Sequence, residues 1–413
     1  MQTFDLIVAS HLRWSFVWQR PQQLLSRLAR HHRILFVEEP LAVSDTEGAP
    51  MPVLQEVMPG VVTLTPKVPE SQCNGTPLWL WPCQNLITRQ VRDAIRALDL
   101  RHRALWFYTP TPEFMVEAVQ PEMLVYDVMD ELSNFKFAPP QLRDQERRLL
   151  SQAAVVFTGG ASLYDAKKHH NPNTHLFASG VDAAHYSKAA HPDTTVPEWM
   201  EQIPTPRATY IGVIDERMDY DIIRGLAEAR PDVQFVMCGP VVKVDPADLP
   251  KAPNLHYPGQ QAYDDLPRIL KGTDVCLMPF AQNEATKFIS PTKTLEYMAA
   301  DRPIISTPIK DVERFYSDIV FLAETPDGFI AHLDAALNEA EEERERKRRR
   351  IEKILAEQAW DAIAENMETL MLRAWEKTPT GVRQRLQRSG LPVRSASASA
   401  SVGLSAPAVE TGE

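Results

Sequence analysis

The sequence predicts an α/β protein with two successive parallel sheets. Apolar strands alternate with helices twice along the chain, a Pro-rich polar segment separates the two series, and 413 residues exceed one ordinary domain. We expect a first domain over residues 1–190, a linker over 191–206 and a second domain over 207–340. C-terminal helices over 341–376 are expected to cross back to the first domain, and 377–413 to be a disordered tail.

The first alternation begins with a strand–helix–strand unit. An apolar strand over Asp5 to Ser10 precedes a helix with Pro21 in its first turn, the position that Pro favours, and a second strand covers Arg33 to Glu39. Such a unit implies parallel strands, and its first turn lacks the G-x-G-x-x-G of dinucleotide sites. Residues 40–83 are expected to be irregular around one strand. The remaining strands predicted for this half are Val61–Thr65, Ala104–Tyr108, Met123–Val128, Ala153–Thr158 and His175–Ala178.

The second alternation follows the linker. Its first helix is predicted over Tyr220 to Ala229, and the pattern becomes almost purely helical from Asp327 to Trp375. The predicted strands are Ala208–Ile214, Val233–Cys238, Asn254–Tyr257, Val275–Met278, Pro303–Ser306 and Val320–Leu322.

Composition excludes several functional classes. The apolar share of 44% is that of a globular protein, and a net charge of −11 argues against nucleic acid as a partner. No apolar run approaches the roughly 20 residues that cross a bilayer, and the first residues lack the basic segment of a signal peptide. The four cysteines have no metal-type spacing. We therefore expect a cytoplasmic protein without a metal site.

The segment from Ser290 to Thr307 carries the strongest chemical signal. Lys293 and Glu296 are three residues apart, so they share a face near the start of a predicted helix. The start of a helix favours an anion, and Lys293 adds a full positive charge. Phosphate at one end and sugar hydroxyls near the acid would suit a nucleotide-sugar. An ordinary surface pair of opposite charges is the alternative that spacing alone leaves open.

Acidic residues follow a buried strand of the first domain. Asp127, Asp130 and Glu131 lie at or after the carboxyl end of the Met123–Val128 strand, where parallel sheets collect ligands. A carboxylate there could bind or deprotonate an acceptor hydroxyl. His11, at the end of the first strand, is a candidate sugar contact. Structural roles remain open, with Asp127 tying the strand end, Glu131 solvated and His11 packed.

Four segments together follow the pattern of one known family: Phe16–Gln23, Ser179–Asp182 with Tyr186, Tyr210–Arg217, and Lys293 to Glu296 with Pro303–Thr307. They resemble retaining glycosyltransferases of family four, which have the GT-B fold of two Rossmann-like domains facing a cleft. The resemblance covers about residues 1–375. The first segment and the Ser-Pro-Thr-Lys form are similar to a bacterial subgroup associated with cell-surface polysaccharide or teichuronic-type synthesis.

The resemblance implies transfer of a sugar from a nucleoside-diphosphate donor, UDP- or GDP-linked, to a glycan or lipid-linked acceptor. It also implies retention at the anomeric carbon, without a metal or other cofactor. Arg217 and Lys293 would neutralise the leaving diphosphate, and Gly212 would let the backbone approach it. Thr292 would add a hydroxyl to the phosphate, and Glu296 would bind donor hydroxyls.

The remaining candidates belong to the two sides of the cleft by their positions at strand ends. Gly239 and Phe280 would form walls of the nucleobase pocket, although core packing is an equal alternative for Phe280. Asp130, Asp127 and His11 would serve the acceptor. We expect the donor on the second domain, the acceptor on the first, and closure to exclude water.

One departure from the family pattern keeps other functions open. The family has two glutamates in an E-x7-E arrangement, and the first of these positions is Phe288 here. The missing acid makes an inactive sugar-binding relative one alternative. A nucleotide-sugar epimerase is another, because such epimerases share this architecture. The basic tail is either a peripheral contact with an anionic inner membrane surface or an ordinary disordered terminus.

Overall fold

A computed structural model describes most of the chain. The described residues are 4–16, 18–47, 50–73, 83–135, 138–283 and 286–377. The predicted disordered tail beyond Lys377 lies outside them. In the described residues no helix is long and apolar enough to cross a membrane.

Short buried strands form the centre of the protein. The strands are β1 (Asp5–Ala9), β2 (Ile34–Val37), β3 (Leu41–Val43), β4 (Val53–Met58), β5 (Val61–Thr65), β6 (Lys67–Pro69), β7 (Arg103–Phe107), β8 (Met123–Val128), β9 (Val155–Thr158), β10 (Thr174–Leu176), β11 (Arg207–Ile211), β12 (Gln234–Cys238), β13 (Leu255–Gly259), β14 (Val275–Met278), β15 (Ile304–Ser306) and β16 (Phe321–Leu322).

Helices connect most of these strands. They are α1 (Arg20–Leu28), α2 (Glu70–Cys73), α3 (Gln84–Ala97), α4 (Met115–Val119), α5 (Leu142–Gln152), α6 (Ala161–Lys167), α7 (Ala183–Tyr186), α8 (Glu198–Glu201), α9 (Tyr220–Ala229), α10 (Leu266–Lys271), α11 (Lys293–Ala299), α12 (Lys310–Tyr316), α13 (Pro326–Leu337), α14 (Glu341–Glu357) and α15 (Trp360–Lys377).

The first sheet has the strand order β10-β9-β8-β7-β1-β2-β5-β4 in the described residues. All neighbours in it are parallel except the β4–β5 pair at one edge. Successive strands are added to one side of β1 up to β5 and to the other side from β7 onward. The point where the order reverses lies between β1 and β7, so the loops after these strands border a crevice. We call the unit built on this sheet the first half.

The second sheet has the order β13-β12-β11-β14-β15-β16 with every described pair parallel. Numbered within the sheet this is 3-2-1-4-5-6, the order of doubly wound nucleotide-binding folds. The reversal lies between β11 and β14, so ligands are expected beyond the carboxyl ends of these two strands. We call the unit built on this sheet, together with α9 to α14, the second half.

Both predicted alternations of strand and helix are confirmed, with differences in detail. Residues 40–83 are more regular than predicted, because β4 pairs with β5, and β3 with β6. Helix α11 begins at Lys293 itself, so Lys293 and Glu296 both lie in its first turn, as predicted. Helix α15 packs against α1 of the first half and contributes Met367 and Met371 to its core. The exact domain boundaries stay a prediction.

Candidate functional site

Two glycines line the crevice at the reversal point of the second sheet. Gly212 follows β11 with φ of 153° and Gly239 follows β12 with φ of 154°, a backbone conformation that other residues adopt only under strain. A Cβ on Gly239 would overlap the carbonyl oxygen of Gly212, and a Cβ on Gly212 would overlap Cε of Lys293. The absence of side chains therefore lets the two turns and the lysine come together.

Lys293 lies half-buried against this glycine pair. Its Nζ is 5.7 Å from the ring centroid of Tyr210, a cation–π distance. Burial lowers the pKa of Lys293, while the neighbouring Glu296 favours its charged form. The ammonium form of Lys293, with limited access to water, attracts an anion more strongly than an exposed ammonium group does.

Glu296 faces Lys293 from the same helix, and its carboxyl group is hydrogen-bonded on two sides. Thr292, at the start of α11, and the Tyr186 hydroxyl are its partners. Burial raises the pKa of Glu296, and Lys293 and these hydrogen bonds oppose the increase. The sequence placed Tyr186 in one of the segments that follow the family pattern but did not assign it a contact.

The loop after β11 places a second cation at the crevice. Arg217 forms a bidentate pair with the buried Asp215, with Nε–Oδ1 and Nη2–Oδ2 distances of 2.9 and 2.7 Å. Burial raises the pKa of Asp130 in the first half, and the charge of Arg217 counteracts that effect. Arg217 and Asp130 are therefore close enough to interact electrostatically across the crevice, and the acceptor role of Asp130 stays a prediction. Asp215 was missed, although it lies inside the Tyr210–Arg217 segment.

Asp127 occupies a different environment from its neighbour Asp130. Its side chain is fully buried, and both carboxylate oxygens accept hydrogen bonds from Arg20 at 2.9 Å. Arg20 also donates to the carbonyl oxygen of Phe177. These contacts favour the tying role for Asp127 that the sequence left open, since they leave its carboxylate no exposed face for an acceptor. Arg20 is the first residue of α1.

His11 lies after β1, at the reversal point of the first sheet. Its Nδ1 is buried and has no hydrogen-bond partner among the described residues. Burial lowers the pKa of His11 from its ordinary 6.5 to about 4, so the ring is neutral at pH 7. The position agrees with the predicted sugar contact, which stays a prediction.

Phe280 and Phe288 pack in opposite halves. Phe280 is 4% exposed and contacts Tyr210 edge to face at 6.1 Å between centroids, which favours the packing interpretation over a wall of the base pocket. Phe288, where the family has its first glutamate, packs against the core of the first half. An aromatic contact between the halves therefore stands in place of that acid.

Glu131 is paired rather than solvated, which corrects one of the open alternatives. Its carboxylate lies 2.6 Å from Nζ of the buried Lys167, which also contacts Glu146 at 2.7 Å. Phe288 and Glu131 line the same cavity of about 300 Å³. The acidic cluster predicted from Asp127, Asp130 and Glu131 is thus divided among three surroundings, and Asp130 alone of the three faces Arg217.

A further contact between the halves was not predicted. Asp311, from α12 of the second half, is 2% exposed and accepts hydrogen bonds from the backbone of Ala161 and Ser162 and from the Ser162 hydroxyl, at 2.8, 3.1 and 3.0 Å. Arg314 pairs with Asp165 nearby at 3.0 Å. About 150 residues separate the partners, so no local sequence signal could have indicated the contact.

The described residues include no group of three or more His, Cys, Asp or Glu side chains arranged to hold a metal ion. The predicted residues that do come together are Gly212, Gly239, Lys293, Glu296, Thr292, Arg217 and Asp130.

Solved structures with the same architecture cover nearly the whole chain. An E. coli trehalose-6-phosphate protein bound with UDP-2-fluoro glucose matches with a TM-score of 0.64 and 12% identity, covering 91% of this chain and 100% of that chain. Sucrose-phosphate synthase of Thermosynechococcus elongatus matches with a TM-score of 0.63 and 13% identity, covering 90% and 98%. These matches establish the GT-B fold, in agreement with the prediction.

Sequence comparison gives the class. A protein-family model described as "Glycosyl transferase-like" matches residues 217–369, the part of the chain that contains Lys293 and Glu296. Together with the fold, this match makes the chain a glycosyltransferase enzyme.

A curated relative comes from Bacillus subtilis strain 168. It is the glycosyltransferase TuaH, whose name provisionally assigns it to teichuronic acid biosynthesis. The two sequences are 23% identical over 279 residues, covering 63% of this chain and 69% of the relative. These comparisons do not favour the epimerase or the inactive relative.

Proposed function

We propose that the enzyme transfers a sugar from a UDP- or GDP-linked donor to a glycan or lipid-linked acceptor. The proposal includes retention at the anomeric carbon, as in family four, no required metal, and a role in cell-surface polysaccharide synthesis. The arrangement of Lys293, Gly212 and Glu296 at the reversal point of the second sheet carries it. Support for the polysaccharide role comes from the name of the Bacillus relative.

The donor diphosphate would lie over the two glycine turns. Lys293 would bind its oxygens directly, and its charge would stabilise the diphosphate as the bond to the anomeric carbon breaks. Arg217 would add positive potential from the loop after β11, partly offset by its pair with Asp215. Glu296, held by Tyr186 and Thr292, would accept hydrogen bonds from donor hydroxyls.

The acceptor would approach from the first half. Asp130 would accept a hydrogen bond from the attacking hydroxyl, and its raised pKa brings its basicity closer to what neutral pH requires of a general base. The neutral ring of His11 would contact a sugar hydroxyl. Asp127 would act indirectly, by fixing α1 and the strand end through Arg20.

We propose that the reaction takes place in the cytoplasm, with peripheral contact to the inner membrane surface through the basic tail. The four cysteines are free and buried, as expected in a reducing compartment. Removal of residues 378–413 would test the membrane contact by co-sedimentation with vesicles of anionic lipid.

The donor site is tested with UDP and GDP, the products shared by all donors of the two classes. A ligand that binds the native state raises the melting temperature, so one of them should stabilise the wild type. We expect Lys293→Ala to weaken this binding by roughly ten-fold or more, because a hydrogen bond to a charged group contributes about 1.5–3 kcal/mol. Lys353→Ala, on the exposed face of α14, is the matched control.

Two outcomes would contradict the site assignment: no response of the wild type to either nucleotide, or an undiminished response of Lys293→Ala. The reaction itself is tested with UDP-glucose and GDP-mannose, with and without a lipid extract as acceptor. Nucleoside diphosphate release that depends on the extract supports transfer, whereas conversion of the sugar without an acceptor would support the epimerase.

A further inference from the structure

The side chain of Asp311, in the second half, extends to the first half, where both oxygens of its carboxylate accept hydrogen bonds. Its Oδ2 accepts from the Ala161 backbone, and its Oδ1 accepts from the backbone and hydroxyl of Ser162. Both Asp311 and Ser162 are buried. A buried carboxylate is stable only when such donors compensate for lost water, so separating the halves requires solvent to replace all three bonds.

Gly160 makes this contact possible from the side of the first half. A Cβ at this position would lie 2.7 Å from Oδ2 of Asp311 and 3.0 Å from Cβ of Ser290. Any other side chain would therefore displace the carboxylate. Ser290 is two residues before Thr292, so the same close approach also touches the segment leading into the donor helix.

The exposed contacts around Asp311 are of a weaker kind. Arg314 and Asp165 are 47% and 34% exposed in their 3.0 Å pair, and pairs of this exposure contribute little. Phe288 adds apolar contact with the first half. The buried carboxylate is thus the polar contact whose loss would most favour opening.

We propose that Asp311 is a latch that holds the two halves closed and thereby places Asp130 opposite Arg217. Asp311 does not contact the donor residues, so it acts as a positioning residue. Its role in transfer rests on the proposed function, whereas its role in closure does not.

The latch is tested in the full-length protein by fluorescence energy transfer between the halves. Dyes on Arg89→Cys and Asp221→Cys, both more than 80% exposed in α3 and α9, report the distance, since the native cysteines are buried. We expect Asp311→Ala and Gly160→Ala, made from opposite sides of the contact, to shift the open-to-closed ratio in the same direction. The expected shift is about ten-fold or more, because one charge-assisted hydrogen bond alone contributes that much.

Ser162→Ala removes one of the bonds and should give a smaller shift in the same direction, which keeps the test available if Asp311→Ala does not fold. Arg314→Ala is the matched control on the same helix and should leave the distance nearly unchanged. A merely structural role would lower the melting temperature without changing the distance in the folded variants. An unchanged distance in folded Gly160→Ala and Ser162→Ala would overturn the proposal.

The nucleotide response separates this inference from the proposed function. The donor residues all lie in the second half, so Ser162→Ala, which adds no atoms near the donor helix, should retain the melting-temperature rise with UDP or GDP while its sugar-transfer rate falls. If neither nucleotide binds the wild type, the donor proposal fails, and the distance measurement still decides whether Asp311 controls closure.

Discussion

The edges of the two halves that face the cleft differ in how their charged side chains are surrounded. In the first half, charged groups such as Asp127 and Arg20 satisfy each other in a buried bidentate pair. In the second half, Gly212 and Gly239 remove side chains, and Lys293 lies against the space that they leave. The carboxylate of Asp127 at the first edge is thus satisfied within the protein, whereas the second edge has no side chain at the two glycines beside Lys293.

The pKa shifts show the same contrast. Burial disfavours the charged forms of Lys293 and Glu296. The pair therefore lowers the stability of the fold unless the attraction between the two charges compensates for the lost hydration. Charged groups that burial destabilises are typical of functional sites. A charged group whose hydrogen bonds are all made within the protein has few left to form with a ligand. This contrast supports the proposal that the second half recognises the donor, and it gives the Arg20–Asp127 pair a structural role.

The largest expected effect is on stability. Asp127→Ala leaves the buried guanidinium of Arg20 without its carboxylate, and breaking a buried pair in this way costs about 3–5 kcal/mol. Chemical unfolding would measure the loss. The comparison also requires that the folded fraction of the variant keep its affinity for UDP or GDP, because the donor residues are in the other half.

Asp144→Ala is the control for this experiment. Asp144 pairs with Arg147 at 3.3 Å on the surface of α5, with both side chains at least 65% exposed, and its loss should have little effect on stability. If Asp127→Ala were as stable as this control but had lost nucleotide affinity, the contrast between the two edges would be wrong.

Gly212→Ala should affect binding more than stability. The new Cβ would displace Lys293, and the positive φ of 153° adds strain of about 1–3 kcal/mol. We expect the melting-temperature rise with UDP or GDP to be lost while the protein stays folded. Gly259→Ala is a matched control, since its φ of 78° is also positive but a Cβ there would meet nothing within 4 Å. Equal nucleotide affinity in both variants would mean that the glycine turn does not shape the donor site.

The sequence predicted the second half better than the first for a physical reason. Gly212, Lys293 and Glu296 act through local features, a glycine turn and the first turn of a helix, that can be read within a few residues. The alternation of apolar strands and helices, interrupted by prolines, likewise predicted the bounds of most strands to within a few residues. The fold class followed from that alternation, while the GT-B architecture needed the family resemblance.

The remaining features depend on contacts that no local pattern encodes. The surroundings of Asp127 differ from those of Asp130 because Arg20, 107 residues earlier, donates hydrogen bonds to the Asp127 carboxylate. Asp311 meets α6 from 149–150 residues away. Phe288 was recognised as a missing acid, but its packing on the first half could be seen only in three dimensions.

The smallest expected effect concerns His11 and depends on pH. The folded state holds the ring neutral with a pKa of about 4, whereas the unfolded chain protonates near 6.5, so the unfolded state binds more protons in between. The stability from the neutral ring is fully present above pH 6.5 and is lost as the pH falls toward 4. At pH 5 the loss is about 2 kcal/mol.

His11→Asn removes this titration. Unfolding of the wild type and the variant at pH 7.5 and pH 5.0 should therefore show a smaller loss of stability on acidification in the variant. The comparison between the halves predicts that the same substitution leaves the response to UDP or GDP unchanged at pH 7.5. An identical acid-induced loss in both proteins would show that His11 keeps its ordinary pKa in the folded state, so that burial does not hold its ring neutral.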